Sequence, residues 1–299
     1  MDILEVKDLH KSFGSKTVLD GLSFSVGEGS IFGFIGRNGA GKTTTMKIIL
    51  GLLQPDSGEV TVCGEKVTYG STATNRFVGY LPDVPEFYPY MTAREYLRLC
   101  GEVTQMKQSE IKNRSDELLE LVGLAQEKHR IKGFSRGMKQ RLGIAQALIN
   151  KPRLLICDEP TSALDPVGRK EILDIIRAAK GETSVIFSTH ILSDVERVCD
   201  EMAILEKGKT ALSGTVSELK AKRSGSDLAI TLSSAADTPS AAQALGGRIA
   251  ADGIIVIPNA SQQTVFKALS VISENKIPVS RIEHAEPDLE QLFMEVIGK

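Results

Sequence analysis

No stretch of this sequence stays apolar for the roughly eighteen residues that a membrane-spanning helix takes. The opening residues, Met1-Asp2-Ile3-Leu4-Glu5, lack the basic start and apolar core of a secretory signal. The expectation is a cytoplasmic protein; if it works at the inner face of a membrane, another chain holds it there. Cysteine is scarce. Cys63, Cys100, Cys157 and Cys199 stand far apart with no C-x-x-C pair, so neither a metal knuckle nor a disulfide framework is predicted, and all four read as reduced thiols. An excess of one charge is lacking too. Thirty-six basic against thirty-eight acidic residues give a net charge of -2, which supports no broad footprint for nucleic acid, and nucleic acid is not an expected partner. Internal repeats and long low-complexity tracts are also missing.

What is present is a globular composition, 41% hydrophobic and 25% charged over 299 residues, enough for one large domain and one small one. Alternating patterns predict strands at Ile3–Val6, Lys16–Leu19 and Leu22–Val26. Ile31–Ile35 is apolar throughout, as a strand buried on both faces is. A helical run follows from Thr43 through Leu50. Between about 86 and 150, helical periodicity in Arg94–Leu99, Glu110–Val122 and Gln140–Ile149 predicts a helical insertion. Apolar strands return at Leu154–Cys157, Val185–Phe187 and Met202–Leu205, separated by helices near 168–180 and 191–199, which is βαβ logic. The polar link Lys220–Ser226 predicts a domain boundary. Beyond it, strands are expected at Leu228–Leu232 and Gly253–Ile257 and a helix at Thr264–Ser273. A last helix after Pro287-Asp288 places Leu289, Leu292, Phe293, Val296 and Ile297 on one face, a stripe suited to packing within its own domain.

The strongest local signal is Gly36-Arg37-Asn38-Gly39-Ala40-Gly41-Lys42-Thr43-Thr44, a full match to G-x-x-x-x-G-K-[ST] between a strand and a helix. Glycines let the backbone curl so that successive N–H groups point at phosphate oxygens, and the helix start adds positive potential. Lys42 can reach the outer phosphates, and the Thr43 hydroxyl can ligate Mg²⁺. ATP or GTP is the expected ligand.

A second strand ends in Asp158-Glu159-Pro160. Asp158 is placed to hold Mg²⁺ through water, and Glu159 to polarise the water that attacks the outer phosphate. Ser188-Thr189-His190 ends another strand at the same predicted sheet edge, where ligands of open α/β sheets gather, so His190 is assigned a contact with the γ-phosphate.

Taken together, these pieces resemble the ATP-binding cassette family over residues 2–220. Phe134-Ser135-Arg136-Gly137-Met138-Lys139-Gln140-Arg141 is similar to its signature (L-S-G-G-Q), matching at Ser135 and Gly137 and departing at Phe134, Arg136 and Met138. Ser162-Ala163-Leu164-Asp165 matches the loop after the acidic pair, Phe13 the aromatic that stacks on adenine, and His190 the switch histidine. Asp83 stands where the family usually carries glutamine, and its anionic oxygen is expected at the metal, directly or through water. The resemblance implies a P-loop α/β core (residues 1–220) with a mixed sheet, an N-terminal antiparallel part and a helical insertion (about 86–150), plus a small α+β accessory domain (221–299). It also implies Mg²⁺ and ATP as cofactors, with Ser135, Gly137 and Asp165 meeting nucleotide across a pair of cassettes. Expected partners are a second cassette, identical or related, and a transmembrane permease subunit.

The stretch from Pro85 to Leu97 resembles the surface that receives a permease in export-type cassettes, and the C-terminal end, Glu286–Phe293, resembles their accessory tail. The function so implied is an ATP-hydrolysing subunit that powers transport, with export as its direction. The alternative is a non-transport regulatory ATPase of the same family.

Overall fold

The computed structural model describes residues 2–222, 227–234, 237–250, 253–258, 260–285 and 289–297. It divides into two compact units, Met1–Val216 and Ser217–Lys299. The division falls inside a helix, a few residues before the polar link; positions 223–226 of that link lie outside the described residues, as do Glu286-Pro287-Asp288.

The first unit opens with two long antiparallel strands, β1 (Asp2–Phe13) and β2 (Lys16–Gly27). The two strands expected at 16–19 and 22–26 are one. Asp20-Gly21 reads as a turn, but Leu9 pairs with Leu22 and His10 with Asp20, so Gly21 is the extra residue of a β-bulge at φ 83. In β3 (Ile31–Gly36) every residue is buried, as its unbroken apolar run requires. The glycine loop leads into α1 (Lys42–Ile49). Strands β4 (Ser57–Val62) and β5 (Glu65–Lys66) complete an antiparallel sheet ordered β2-β1-β4-β5.

Next come β6 (Val78–Leu81) and the helices α2 (Ala93–Val103), α3 (Gln108–Leu121) and α4 (Arg136–Leu148). Thr92 and Glu95 start α2 with a reciprocal capping box. The chain then alternates through β7 (Leu154–Asp158), α5 (Pro166–Ala179), β8 (Ser184–Thr189), α6 (Leu192–Val198), β9 (Glu201–Glu206) and β10 (Lys209–Thr215). The second sheet runs β10-β9-β3-β8-β7-β6, parallel throughout except for β10. One apolar core joins Leu4 and Val60 of the first sheet, Met46 and Ile49 of α1, and Phe34 and Ile186 of the second. Burying each such side chain stabilises by about 1.5–3 kcal/mol, so α1 is held between two sheets by its apolar residues.

The division between the units lies within α7 (Val216–Lys222). The second unit contains β11 (Asp227–Leu232), α8 (Thr238–Leu245), β12 (Arg248–Ile249), β13 (Ile255–Ile257), α9 (Gln262–Glu274), β14 (Val279–Ala285) and α10 (Leu289–Ile297). Up to β14 this is a β-α-β-β-α-β chain on an antiparallel sheet ordered β12-β13-β11-β14, the split-βαβ arrangement. Leu228 and Ile230 pack with Ala242, Ile255 and Ala268 in its own core. In α10, Leu289 is buried while Leu292, Phe293 and Val296 are half-buried.

Candidate active site

Parallel strands place their carboxyl ends along one edge, and the central order β3-β8-β7-β6 brings four chain segments together there. Gly36 ends β3, Asp158 ends β7 opposite Ser188 of β8, and Leu81 of β6 pairs with Cys157. The glycine loop, Asp83, the acidic pair and His190 are therefore each delivered by the strand that precedes them.

In the glycine loop, Gly39 (φ 83) and Gly41 (φ 112) take left-handed backbone that side chains resist. At Gly41 a Cβ would also meet Leu19 Cδ2 at 2.7 Å. Lys42, only 6% exposed, donates to Gly36 O at 2.7 Å and lies 3.1 Å from Glu159 Oε1. The other Glu159 oxygen is 2.9 Å from His190 Nδ1. Glu159 itself has φ 48, and its N–H is held by Ser188 O and Ser188 Oγ, both at 3.1 Å. The Ser188 hydroxyl donates to buried Asp158 at 2.5 Å.

A cavity of 460 Å³ opens over the loop. It brings together Asn38, Gly39, Gly41, Lys42, Thr43, Thr44, Asp83, Glu159 and His190. Gly36, Arg37 and Ala40 build the loop, and Asp158 is buried and outside the lining. Phe13, at the tip of the β1–β2 hairpin, is 50% exposed and outside the lining; Lys11 Nζ sits 5.4 Å from its ring centre. Lys16, Val18 and Ser162 also line the cavity and were not assigned to it from sequence. The adjoining position of Lys16 and Val18 depends on how β2 passes the loop, for which the motif carries no signal. Ser162 was visible as a neighbour of the acidic pair, and Ser188 as a neighbour of His190.

Ser135, Gly137 and Asp165 stand apart from this cavity. The Ser135 hydroxyl accepts from Met138 N at 3.2 Å and caps α4; the Asp165 carboxylate accepts from Gly168 N at 2.7 Å and caps α5. A Cβ on Gly137 would come within 4.0 Å of Leu164 Cδ2, so the two capped helix starts are neighbours. Asp83 joins both regions. Burial pushes its carboxyl above the usual range, Asp158 and Glu159 add to that, and Arg136 and His190 pull it back.

The model of the ABC transporter family matches residues 19–162. The bacitracin transport ATP-binding protein BcrA of Bacillus licheniformis is 40% identical, over 99% of this chain and 97% of its own. The chain belongs to the ABC transporter family of ATP-binding proteins. The linearmycin resistance ATP-binding protein LnrL of Bacillus subtilis is 34% identical over 99% of both chains, so the likeness to these two cassettes extends past the core. A solved ATP-binding subunit of an ABC transporter is 34% identical with TM-score 0.66, covering 74% of this cassette and 92% of that one.

Away from the site, Tyr88 and Tyr90 are 50% and 59% exposed with ring centres 5.8 Å apart, and Phe87 meets Tyr96 edge-on at 5.0 Å. Among the described residues, no helix is long and apolar enough to cross a membrane.

Proposed function

We propose that this chain is the ATP-hydrolysing subunit of an exporter whose membrane-crossing part is a separate permease chain. The observation that carries the reading is the meeting of Lys42, Glu159 and His190 in one cavity over the glycine loop. Loop N–H groups and Lys42 bind the outer phosphates. Glu159 takes up the proton of the attacking water, and His190, bonded to its second oxygen, orients it. Phe13 offers an exposed ring to the base, with Lys11 beside it.

The donors fit Mg²⁺. Thr43, Asp83 and Asp158 all offer oxygen atoms, and Thr43 and Asp83 line the cavity. That matches a small cation bound through one or two carboxylates, waters and substrate phosphates. When bound, it would neutralise charge on the outer phosphates.

The separation of Ser135 and Gly137 from the glycine-loop cavity supports a divided site, completed by a second cassette whose signature end caps this chain's nucleotide. The exposed Tyr88 and Tyr90 suit a docking surface for the permease. Relatives named for bacitracin transport and linearmycin resistance support outward movement of a noxious compound. The test is purification of the full chain from detergent-solubilised membranes. A stoichiometric hydrophobic partner and ATPase activity that depends on Glu159 are expected; recovery with ribosomes or DNA instead would favour a regulatory ATPase.

A further inference from the structure

Arg136 and Gln140 lie four residues apart on α4, hence on one face of it, and both grip Asp83. Gln140, fully buried, donates to the Asp83 carbonyl at 2.8 Å, and Arg136 Nη2 lies 3.4 Å from Asp83 Oδ1. Asp83 belongs to two cavities: the one over the glycine loop, and a neighbouring one of 430 Å³ that Arg136 and Lys139 share. Its carboxylate thus lies between the charged groups of the first cavity, Glu159 and His190 among them, and the Arg136 cation of the second.

We propose that Arg136 is a positioning residue for the glycine-loop cavity, acting through Asp83. A triphosphate entering that cavity meets the Asp83 charge at its rim. Arg136 offsets this charge and fixes the carboxylate from its α4 side. A neutral side chain at position 83 would need no such cation. Arg136 stands directly after Ser135, so the same pair ties the rim of one nucleotide cavity to the helix end that serves the other. The inference rests on the reading of this cavity as an ATP site.

The experiment is a double-mutant cycle on ATP affinity, read by calorimetry on the dilute full-length chain with a metal chelator present. Arg136→Gln is expected to weaken ATP binding about two- to five-fold, the range of a partly exposed ion pair. Arg136→Lys, which keeps the charge, should restore most of it. In the Asp83→Gln background, Arg136→Gln should have no further effect. An equal loss in both backgrounds, or none in the Asp83 chain, overturns the proposal. A parent chain that binds ATP no better than Lys42→Ala overturns the ATP reading itself and the proposal with it.

Discussion

The Lys42 ammonium sits 3.1 Å from Glu159 Oε1, so the residue suited to grip phosphate and the residue suited to activate water face each other directly. A phosphate entering between them has to take over the lysine. On the proposed function, that exchange would free Glu159 Oε1 toward water as substrate arrives.

Glu159→Gln keeps the shape and removes the base. ATP hydrolysis is expected to fall by about 10²–10⁴, the usual worth of a positioned general base, while ATP binding is retained. Steady-state turnover and calorimetric affinity, measured on the same preparation, check this. A variant that hydrolyses at the parental rate would remove Glu159 from the mechanism.

Lys42→Ala should lose more than nucleotide affinity. The lysine is 6% exposed and Glu159 13%, so the alanine leaves a largely buried carboxylate with only His190 beside it, at a cost of up to about 3 kcal/mol. Adding Glu159→Gln to Lys42→Ala should therefore recover stability without recovering ATP binding. Urea unfolding of the two variants reads the difference; equal midpoints would mean that solvent compensates the charge.

Much of this site was legible because the glycine loop, the acidic pair and His190 each follow an apolar strand, and parallel strands deliver their carboxyl ends to one edge. The order of Gly36, Asp158 and Thr189 along the chain sufficed for that. The bulge at Gly21 was not legible, since Asp20-Gly21 has the composition of a turn and only the pairing with β1 shows otherwise. The split-βαβ unit hid behind a two-residue strand, β12, too short for any alternation to register. Lys16 and Val18 reach the cavity through tertiary placement of β2, which local sequence does not encode. Asp83 and Arg136 each stood out as departures from the family pattern, but 53 residues separate them and only the fold reveals the contact.

The second unreadable tie is Arg114 of α3, 4% exposed, which donates to Leu148 O at 3.2 Å and to Glu182 Oε2 at 2.7 Å. It fastens the helical insertion to the chain leading into β8. The Arg114 guanidinium holds the Glu182 carboxyl below its ordinary 4.5. A depressed acid pKa contributes stability that is present above the ordinary value and is lost as pH falls through the folded one. Glu182→Gln should thus be less stable than the parent near neutrality, with the gap closing below about pH 4.5. Denaturant melts at several pH values test it; a gap constant with pH would assign the effect to packing.

Asp83 and Ser135 are set relative to each other by how closely β6 approaches α4, and two glycines make that approach possible. A Cβ on Gly79 would stand 2.1 Å from Ala147 O, and one on Gly143 2.5 Å from Leu81 Cδ1. The Gly79 neighbour is backbone and cannot swing aside, whereas the Leu81 methyl can shift. Gly79→Ala is therefore expected to destabilise by about 1–3 kcal/mol, the usual cost of overpacking, and Gly143→Ala by less. Because the strain pushes β6 from α4, Gly79→Ala should also lengthen the Arg136–Asp83 contact and lower ATP affinity, although residue 79 lies outside the cavity. Thermal melts and ATP titrations of both variants decide the point. A Gly79→Ala chain with parental stability would show that the strand and helix have slack between them, and the geometry of the rim would then need another support.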